Sequence, residues 1–215
     1  NINFTASSLN QSVNITSGGT VNIENSTMNY YIYSNNGTIN ANNLTLNKEM
    51  NLYNTTLNMK SSNINSEIYG RDNVVMNLNG GNVVNNANGV GIYVQKGSIL
   101  TILNDTITGS NYGIQNEGTT TLGTKDGNYI EDSNMVTGGT YGIYSISGTF
   151  NFYDGKIRGK TDSIYGYFDD IEDNLEILFK SEDEYENSIL GNKTDPIAQV
   201  GEEKFVRLQD AINAC

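Results

Sequence analysis

The chain has 215 residues, of which 36% are hydrophobic and 17% charged, with a formal net charge of −12, no His, no Trp and one Cys at its last position. The negative charge argues against a nucleic-acid partner, and the missing His argues against His-based acid/base catalysis and Cys/His zinc sites. No apolar run approaches the roughly 20 residues that cross a bilayer, so membrane insertion is not predicted.

Apolar residues recur every seven positions in runs of three, and the pattern returns after about one circuit of roughly 22 residues. The runs are seen at Leu100, Ile107 and Ile114, and at Phe150, Ile157 and Ile164. Each run is typical of three short strands that form one coil of a solenoid, in which coils stack on their neighbours. The sequence therefore predicts an all-β solenoid with three sheets.

Residues 1–168 are predicted to form about seven such coils, regular from residue 74 onward and less regular before it. The 36 residues between Ile32 and Ile68 fit two shortened coils better than one. Each coil must bend three times, and Gly and Asn accept the positive φ that tight bends need. Stacked Asn side chains are expected to form amide ladders along the coil axis.

The third strand of each coil has a repeated pattern in which Ile92, Ile114, Ile143 and Ile164 occupy equivalent positions. Strict alternation predicts that Gly91, Gly113 and Gly142 face outward, and that Tyr112 and Tyr141 face the same side as Ile. It also places outward, on one face, the tyrosines that follow an inward Ile. These candidate binding residues are Tyr33, Tyr93, Tyr144 and Tyr165.

Aromatic rings beside a flat polar trough suit a carbohydrate or peptide ligand. The alternative is that these tyrosines are simply good strand formers on an exposed sheet.

A ten-residue insertion, KDGNYIEDSN at 125–134, lengthens one coil and is predicted to project as a loop. It contains Lys125 and Asp126, and Arg158 lies one coil further on. A base beside carboxylates is what polysaccharide cleavage requires. The acids and bases of the coils are few and scattered, so no catalytic residue is predicted. If the chain were nevertheless an enzyme, Lys125, Asp126 and Arg158 would be the candidate catalytic residues.

Residues 169–195 form an acidic segment with candidate strands at 175–179 and 187–190, predicted to be a hairpin or cap that covers the last coil. The alternative is calcium binding, because calcium takes oxygen ligands. The candidate ligands are Asp169, Asp170, Glu172 and Asp173. Their spacing lacks the pattern of a dedicated calcium loop, so a solvated acidic face is favoured and no cofactor is predicted.

Residues 196–215 are predicted to form a strand, a Val200-Gly201 turn, a second strand and a helix that leads into a following module. The helix is predicted from one apolar side. That side comprises Phe205, Leu208, Ala211 and Ile212.

Two stretches, GTFNFYDGKIRGKT at 148–161 and YGIYS at 141–145, resemble coils of the right-handed parallel β-helix of the pectin-lyase-like kind, as found in large cell-surface proteins of Gram-positive bacteria. The segment VGEEKFVRLQDAINAC at 200–215 is similar to one that precedes β-helical modules in such proteins, with Cys215 where the family usually has Ala. The resemblance covers residues 70–168 well, and its degenerate motifs identify the scaffold better than an activity.

The resemblance implies an extracellular, bacterial, cell-surface location and neighbouring modules in the same chain. Together with the missing catalytic residues, it favours a non-catalytic structural and adhesive module that contacts glycans or host proteins. The alternatives are a polysaccharide lyase or hydrolase, and a fibre like the phage tailspikes, which are usually trimeric.

Overall fold

The computed structural model describes residues 1–87, 89–125, 133–192, 198–201, 203–205 and 212. The 24 elements with defined bounds in these residues are all strands. They build a parallel β-solenoid of about eight coils, which confirms the predicted all-β class and adds one coil to the predicted number. Within the described ranges, no helix has the length and apolarity that crossing a bilayer requires.

The first four coils contain ten strands. They are β1 (Ile2–Thr5), β2 (Ser8–Leu9), β3 (Val13–Ile15), β4 (Thr20–Met28), β5 (Ile32–Asn35), β6 (Thr38–Leu46), β7 (Met50–Tyr53), β8 (Thr56–Lys60), β9 (Asn63–Ile64) and β10 (Ile68–Arg71). The last four coils also contain ten described strands. They are β11 (Val75–Asn85), β12 (Val90–Val94), β13 (Ile99–Gly109), β14 (Tyr112–Asn116), β15 (Thr119–Leu122), β16 (Met135–Gly138), β17 (Tyr141–Ser145), β18 (Thr149–Phe152), β19 (Lys156–Gly159) and β20 (Asp162–Gly166).

Each coil has three sides, which we call the first, second and third faces in chain order. Strands β4, β6, β11 and β13 continue around the bend from the first face to the second, so these two faces form one hydrogen-bonded sheet. The third face is a separate sheet of eight parallel strands, running from β3 to β20. Three ladders of strands are therefore present, as predicted, but two of them are joined.

Coil length differs between the two halves of the solenoid. Asn side chains bonded between neighbouring coils are 18 or 19 residues apart in the N-terminal half. On the third face, Ile32 pairs with Met50, and Met50 pairs with Ile68. Two short coils therefore lie between Ile32 and Ile68, as predicted. Residues 1–19, which lack a clear repeat, form the additional coil by pairing β1 and β2 with β4.

Two of the three corners place a residue in the left-handed region of backbone space in most coils, and Gly89 does so at the third corner of one coil. The corner between the first and second faces does so at Ala6, Asn25, Asn43, Ser61, Gly80 and Asn104. The corner that leads to the next coil does so at Gly18, Asn36, Asn54, Asp72, Asn73 and Gly97. Asn and Gly tolerate this conformation best, which explains their abundance in the chain.

Asn side chains form the expected ladders, in which each amide donates to the amide one coil earlier. At a corner, Asn43 Nδ2 donates to Asn25 Oδ1 at 2.8 Å. The longest ladder lies on the outside of the first face rather than at a turn. It comprises Asn3, Asn22, Asn40, Asn58 and Asn77.

The core follows the seven-residue step. Leu100, Ile107 and Ile114 lie on the first, second and third faces of one coil, and all three are fully buried. Their equivalents one coil away pack directly above or below them, so the core is a stack of apolar columns along the axis. Phe150, the first-face residue of the last coil, is also fully buried.

An antiparallel hairpin pairs with the free edge of the second-face strand of the last coil and continues that ladder beyond it. It consists of β21 (Leu175–Glu182) and β22 (Tyr185–Asn192), and β22 pairs antiparallel with β19. The hairpin predicted in the acidic segment is therefore present. A second hairpin, β23 (Ala198–Val200) with β24 (Glu203–Phe205), follows it. The helix predicted after it falls almost entirely outside the described residues.

Ion pairs attach the β21–β22 hairpin to the solenoid. The Glu182 carboxylate accepts hydrogen bonds from Lys156 Nζ at 2.7 Å and from Arg158 Nη2 at 2.8 Å. The Lys156 side chain is only 9% exposed. These two bonds hold the pKa of the Glu182 carboxyl below its ordinary range, the one from Lys156 most strongly.

We expect Glu182→Gln to lower the melting temperature by several degrees, because it leaves the nearly buried Lys156 ammonium without its counter-charge. The matched control is Glu184→Gln, since the pair between Glu184 and Lys160 is exposed on both sides and contributes little. Thermal unfolding followed by circular dichroism measures both. Equal melting temperatures for the two variants would show that the Glu182 pairs do not hold the hairpin.

Candidate functional site

The four predicted tyrosines lie in one column on the outside of the third face. Strand register aligns Tyr33 with Asn51, Tyr69 and Tyr93, and the column continues through Gln115 to Tyr144 and Tyr165. These side chains lie on the outside, as alternation within the strands predicts, and Gln115 interrupts the column at the predicted position. Tyr69, which was not among the predicted residues, belongs to the same column because it follows the inward Ile68.

The predicted positions of the neighbouring glycines and tyrosines are wrong. Gly91, Gly113 and Gly142 are buried and face inward, so they do not form an outer trough. Tyr112 and Tyr141 lie outside, where their rings contact the column. The reason is that the chain turns from the second to the third face at the glycine, so two consecutive residues, Gly and Ile, point inward and the alternation is broken.

Four tyrosines in the last three coils form a continuous ring stack. Tyr144 lies between Tyr112, with ring centroids 4.5 Å apart and planes at 6°, and Tyr165, at 5.2 Å and 15°. Tyr141 joins from the side, 4.9 Å from Tyr165. Because the two faces of Tyr144 are covered by other rings, a ligand meets the ring edges and the two end rings of the stack. Tyr165, which is 44% exposed, is the more exposed end ring, since Tyr112 at the other end is half-buried.

A second cluster surrounds Arg71 in the middle coils. The Arg71 guanidinium lies 4.6 Å from the Tyr69 ring centroid, and its Nη1 donates to the Tyr53 hydroxyl at 2.8 Å. The Tyr93 hydroxyl donates to Glu117 Oε2 at 2.9 Å. Burial, followed by Glu117, raises the pKa of Tyr93. The third face thus offers aromatic rings with fixed polar groups between them.

The alternative catalytic residues are engaged in separate ion pairs. Lys125 Nζ lies 2.8 Å from Asp170 Oδ2, and Arg158 binds Glu182. Asp126 lies outside the described residues. Lys125 and Arg158 therefore pair with different carboxylates, Asp170 and Glu182, and do not share one site.

Two of the candidate calcium ligands in the acidic segment are hydrogen-bonded to residues of the last two coils. Asp170 Oδ2 accepts from Lys125 and from the Tyr153 hydroxyl at 2.6 Å, and these bonds hold the pKa of Asp170 below its ordinary range. Asp169 Oδ2 accepts the backbone N–H of Phe150 at 2.6 Å. In the part of the chain that the structure describes, no three acidic, Cys or His side chains are grouped to hold a metal ion.

Comparison of the chain with protein-family models, with curated proteins and with solved structures gave no match. The class of protein is therefore defined by the fold itself. The chain is a parallel β-solenoid repeat protein of about eight coils, with an aromatic column along one face.

Proposed function

We propose that this chain is a non-catalytic structural and adhesive module of a bacterial cell-surface protein, of the pectin-lyase-like β-helix kind. A stack of coils presents its third face, which we call the tyrosine face, to glycans or host proteins. Neighbouring modules of the same chain would extend the rod. The observation that carries the proposal is the aromatic column, which runs along the third face from Tyr33 to Tyr165.

The basic residues of the last two coils support binding rather than turnover. Lys125, Lys156, Arg158 and Lys160, which lie away from the tyrosine face, pair with carboxylates of the acidic segment or its hairpin. Such pairs attach the cap to the coils, which accounts for these residues without catalysis. Tyr and Arg, in contrast, are enriched where proteins bind their partners.

We expect Tyr165→Ala to weaken ligand binding about fivefold or more, because the exposed end ring of the stack is the one best placed to pack on a ligand. Binding is measured on a glycan array and on cultured host cells, with affinities from titration calorimetry. The matched control is Tyr30→Ala, since Tyr30 is 50% exposed and lies before the third-face strand, outside the column. Equal losses in both variants, or none in either, would contradict the proposal.

A turnover assay separates this proposal from an enzyme. We expect no cleavage of pectin-like or other acidic glycans by the wild-type protein, measured by release of reducing ends and of unsaturated products. If cleavage is detected, the triple replacement of Lys125, Asp126 and Arg158 by Ala identifies its source.

Light scattering after size-exclusion chromatography is expected to give a monomer, and a trimer would favour a tailspike-like fibre.

A further inference from the structure

The last coil ends in one strand edge on each face, and the chain itself pairs two of these three edges. On the second face, β22 adds antiparallel to β19. On the first face, the residues that follow the coil return to its start, where Asp170 forms a parallel bridge to Asn151. On the third face, β20 has β17 as its one hydrogen-bonded strand neighbour among the described residues. A further strand can therefore extend the third-face sheet at β20.

Burial of the core columns shows the same difference between the three faces. In the last coil, Phe150 on the first face and Ile157 on the second are fully buried. Ile164 on the third face is only partly buried, although Ile143, with which it pairs one coil earlier, is fully buried. The side of Ile164 that points away from Ile143 thus lacks an apolar neighbour. An inward apolar side chain of an added strand would cover it, and this burial favours binding.

The outward aromatic side chains at this end provide a second contact for an added strand. Tyr144 stacks on Tyr165 with ring centroids 5.2 Å apart and planes at 15°. Because Tyr144 lies one coil earlier, the opposite face of the Tyr165 ring points toward the open strand position. An outward side chain of an added strand lies over that ring face, which attracts a cationic group. Tyr167 and Phe168, which follow β20, are exposed as well and enlarge the apolar surface.

The charge around this edge determines which strands it accepts. Residues 162–192 contain ten acidic side chains and one basic side chain, Lys180. Exposed carboxylates lie at both ends of the edge, Asp162 at the start of β20 and Asp169 shortly after its end. Like charges on paired strands repel, so the edge disfavours pairing with the same edge of a second copy. The carboxylates favour instead a strand that carries basic side chains.

We propose that β20 binds an extended basic segment of a partner protein by strand addition, as a ninth strand of the third-face sheet. In this mode, main-chain hydrogen bonds provide affinity and alternate side chains provide specificity. The segment that fits has an apolar residue facing Ile164 and Lys or Arg residues on its outward side, next to Tyr165. Since β20 has five residues, about five residues of the partner are paired. The site is a backbone edge at the end of the solenoid, so it goes beyond the side-chain surface proposed for the tyrosine face.

The test uses the 215-residue protein and three fluorescent peptides of equal length. The first alternates valine and lysine, and the second alternates valine and glutamate. The third is the valine–lysine peptide with every backbone amide methylated, so that it keeps its charge but has no N–H group to donate. Fluorescence anisotropy is expected to show binding of the first peptide and at least tenfold weaker binding of the other two. Equal binding of the methylated peptide, or no binding of the first, would overturn the proposal.

Hydrogen exchange with and without the valine–lysine peptide locates the site. We expect slower exchange of the β20 amides and no change in β3, which is the last strand at the opposite end of the same sheet. Residues 1–19, which surround β3, contain no acidic or basic side chain, so that edge offers no charge to attract the peptide. If protection is confined to strands other than β20, the edge proposal fails while the function proposed for the tyrosine face stands.

A charge reversal at the edge tests the preference for basic strands. We expect Asp162→Lys to weaken binding of the valine–lysine peptide at least fivefold, because it replaces an attraction at the start of β20 by a repulsion. The matched control is Glu24→Lys, which makes the same change in net charge at an exposed strand position of the second coil. It is expected to bind the peptide as the wild type does. Equal losses in the two variants would show that net charge alone attracts the peptide, and the proposal would be wrong.

Discussion

Replacement of Asp105 by Asn is expected to raise the free energy of unfolding at pH 7.5 by about 2 kcal/mol. Asp105 lies just after the corner between the first and second faces and is 2% exposed. Its Oδ2 accepts the backbone N–H of Gly80 at 3.0 Å, whereas its Oδ1 is buried without a hydrogen-bond partner in the structure. A buried ionised carboxylate with one free oxygen is costly.

The cost appears as a pKa shift. Burial raises the pKa of the Asp105 carboxyl to about 7, although the N–H groups of Gly80 and Leu103 act in the opposite direction. The difference from the ordinary value corresponds to roughly 4 kcal/mol of penalty on the ionised form in the folded state. The Asn variant recovers only part of this, because its own NH₂ group also needs a partner at the buried position.

The sign of the pH dependence follows from proton binding. Between about pH 4 and pH 7 the unfolded chain has lost the Asp105 proton and the folded protein still holds it, so the stability of the wild type falls as pH rises. Above pH 7 the penalty is complete. A carboxyl whose pKa is lowered in the folded state, such as that of Glu182, has the opposite effect. Its contribution to stability is lost as the pH falls below the ordinary pKa of a carboxyl.

Urea unfolding at half-unit intervals from pH 4 to pH 8 measures the effect. The stability difference between Asp105→Asn and wild type is expected to grow between pH 4 and pH 7 and then stay constant. The control is Asp183→Asn, at an exposed turn where Asn tolerates the left-handed backbone equally well. A difference that does not change with pH would show that Asp105 is not the group that titrates.

The core columns were predictable because burial of alternate residues leaves a direct trace in the sequence. Ile92, Ile114, Ile143 and Ile164 do pair in register on the third face. Each faces the same column, so each position selects a β-branched or other apolar side chain. The sequence pattern and the fold agree here because one physical requirement, a dry interior, sets both.

The number of coils was not predictable from the seven-residue step alone. In the second coil, Met28 on the second face and Ile32 on the third are only four residues apart, whereas Ile107 and Ile114 are seven apart. A short corner therefore yields a coil of 18 or 19 residues. A repeat length of 22 residues underestimates the number of such coils. Asn ladders at that spacing are the better signal for the N-terminal half.

The candidate site was predicted in part, for a reason that depends on backbone geometry. Alternation holds within a strand, so it located Tyr144 and Tyr165. It fails across the corner at Tyr112-Gly113-Ile114, where the bend places both Gly113 and Ile114 inward. The sequence does not predict the contact between Arg71 and Tyr69, because the repeat is less regular before residue 74.

Gly113→Ala is expected to lower the free energy of unfolding by about 3 kcal/mol. A Cβ atom at Gly113 would lie 2.6 Å from Val136 Cγ1, 2.7 Å from the Gly142 carbonyl oxygen and 2.9 Å from that of Thr137. Two of these three atoms belong to the backbone of the next coil, so they cannot move aside without breaking ladder hydrogen bonds. The outward position that alternation assigns to Gly113 would predict almost no effect.

Gly19→Ala is the matched control, because its Cβ would have only Ile15 Cγ2 within contact, at 3.6 Å, and its φ is not positive. Its stability is expected to stay within about 0.5 kcal/mol of the wild type. Urea unfolding followed by circular dichroism compares the two alanine variants with the wild type. Since coils contact only their neighbours, the loss at Gly113 is expected to be greatest in hydrogen exchange of β14 and β17. A Gly113→Ala protein as stable as Gly19→Ala would mean that the coils can separate at this corner at little cost.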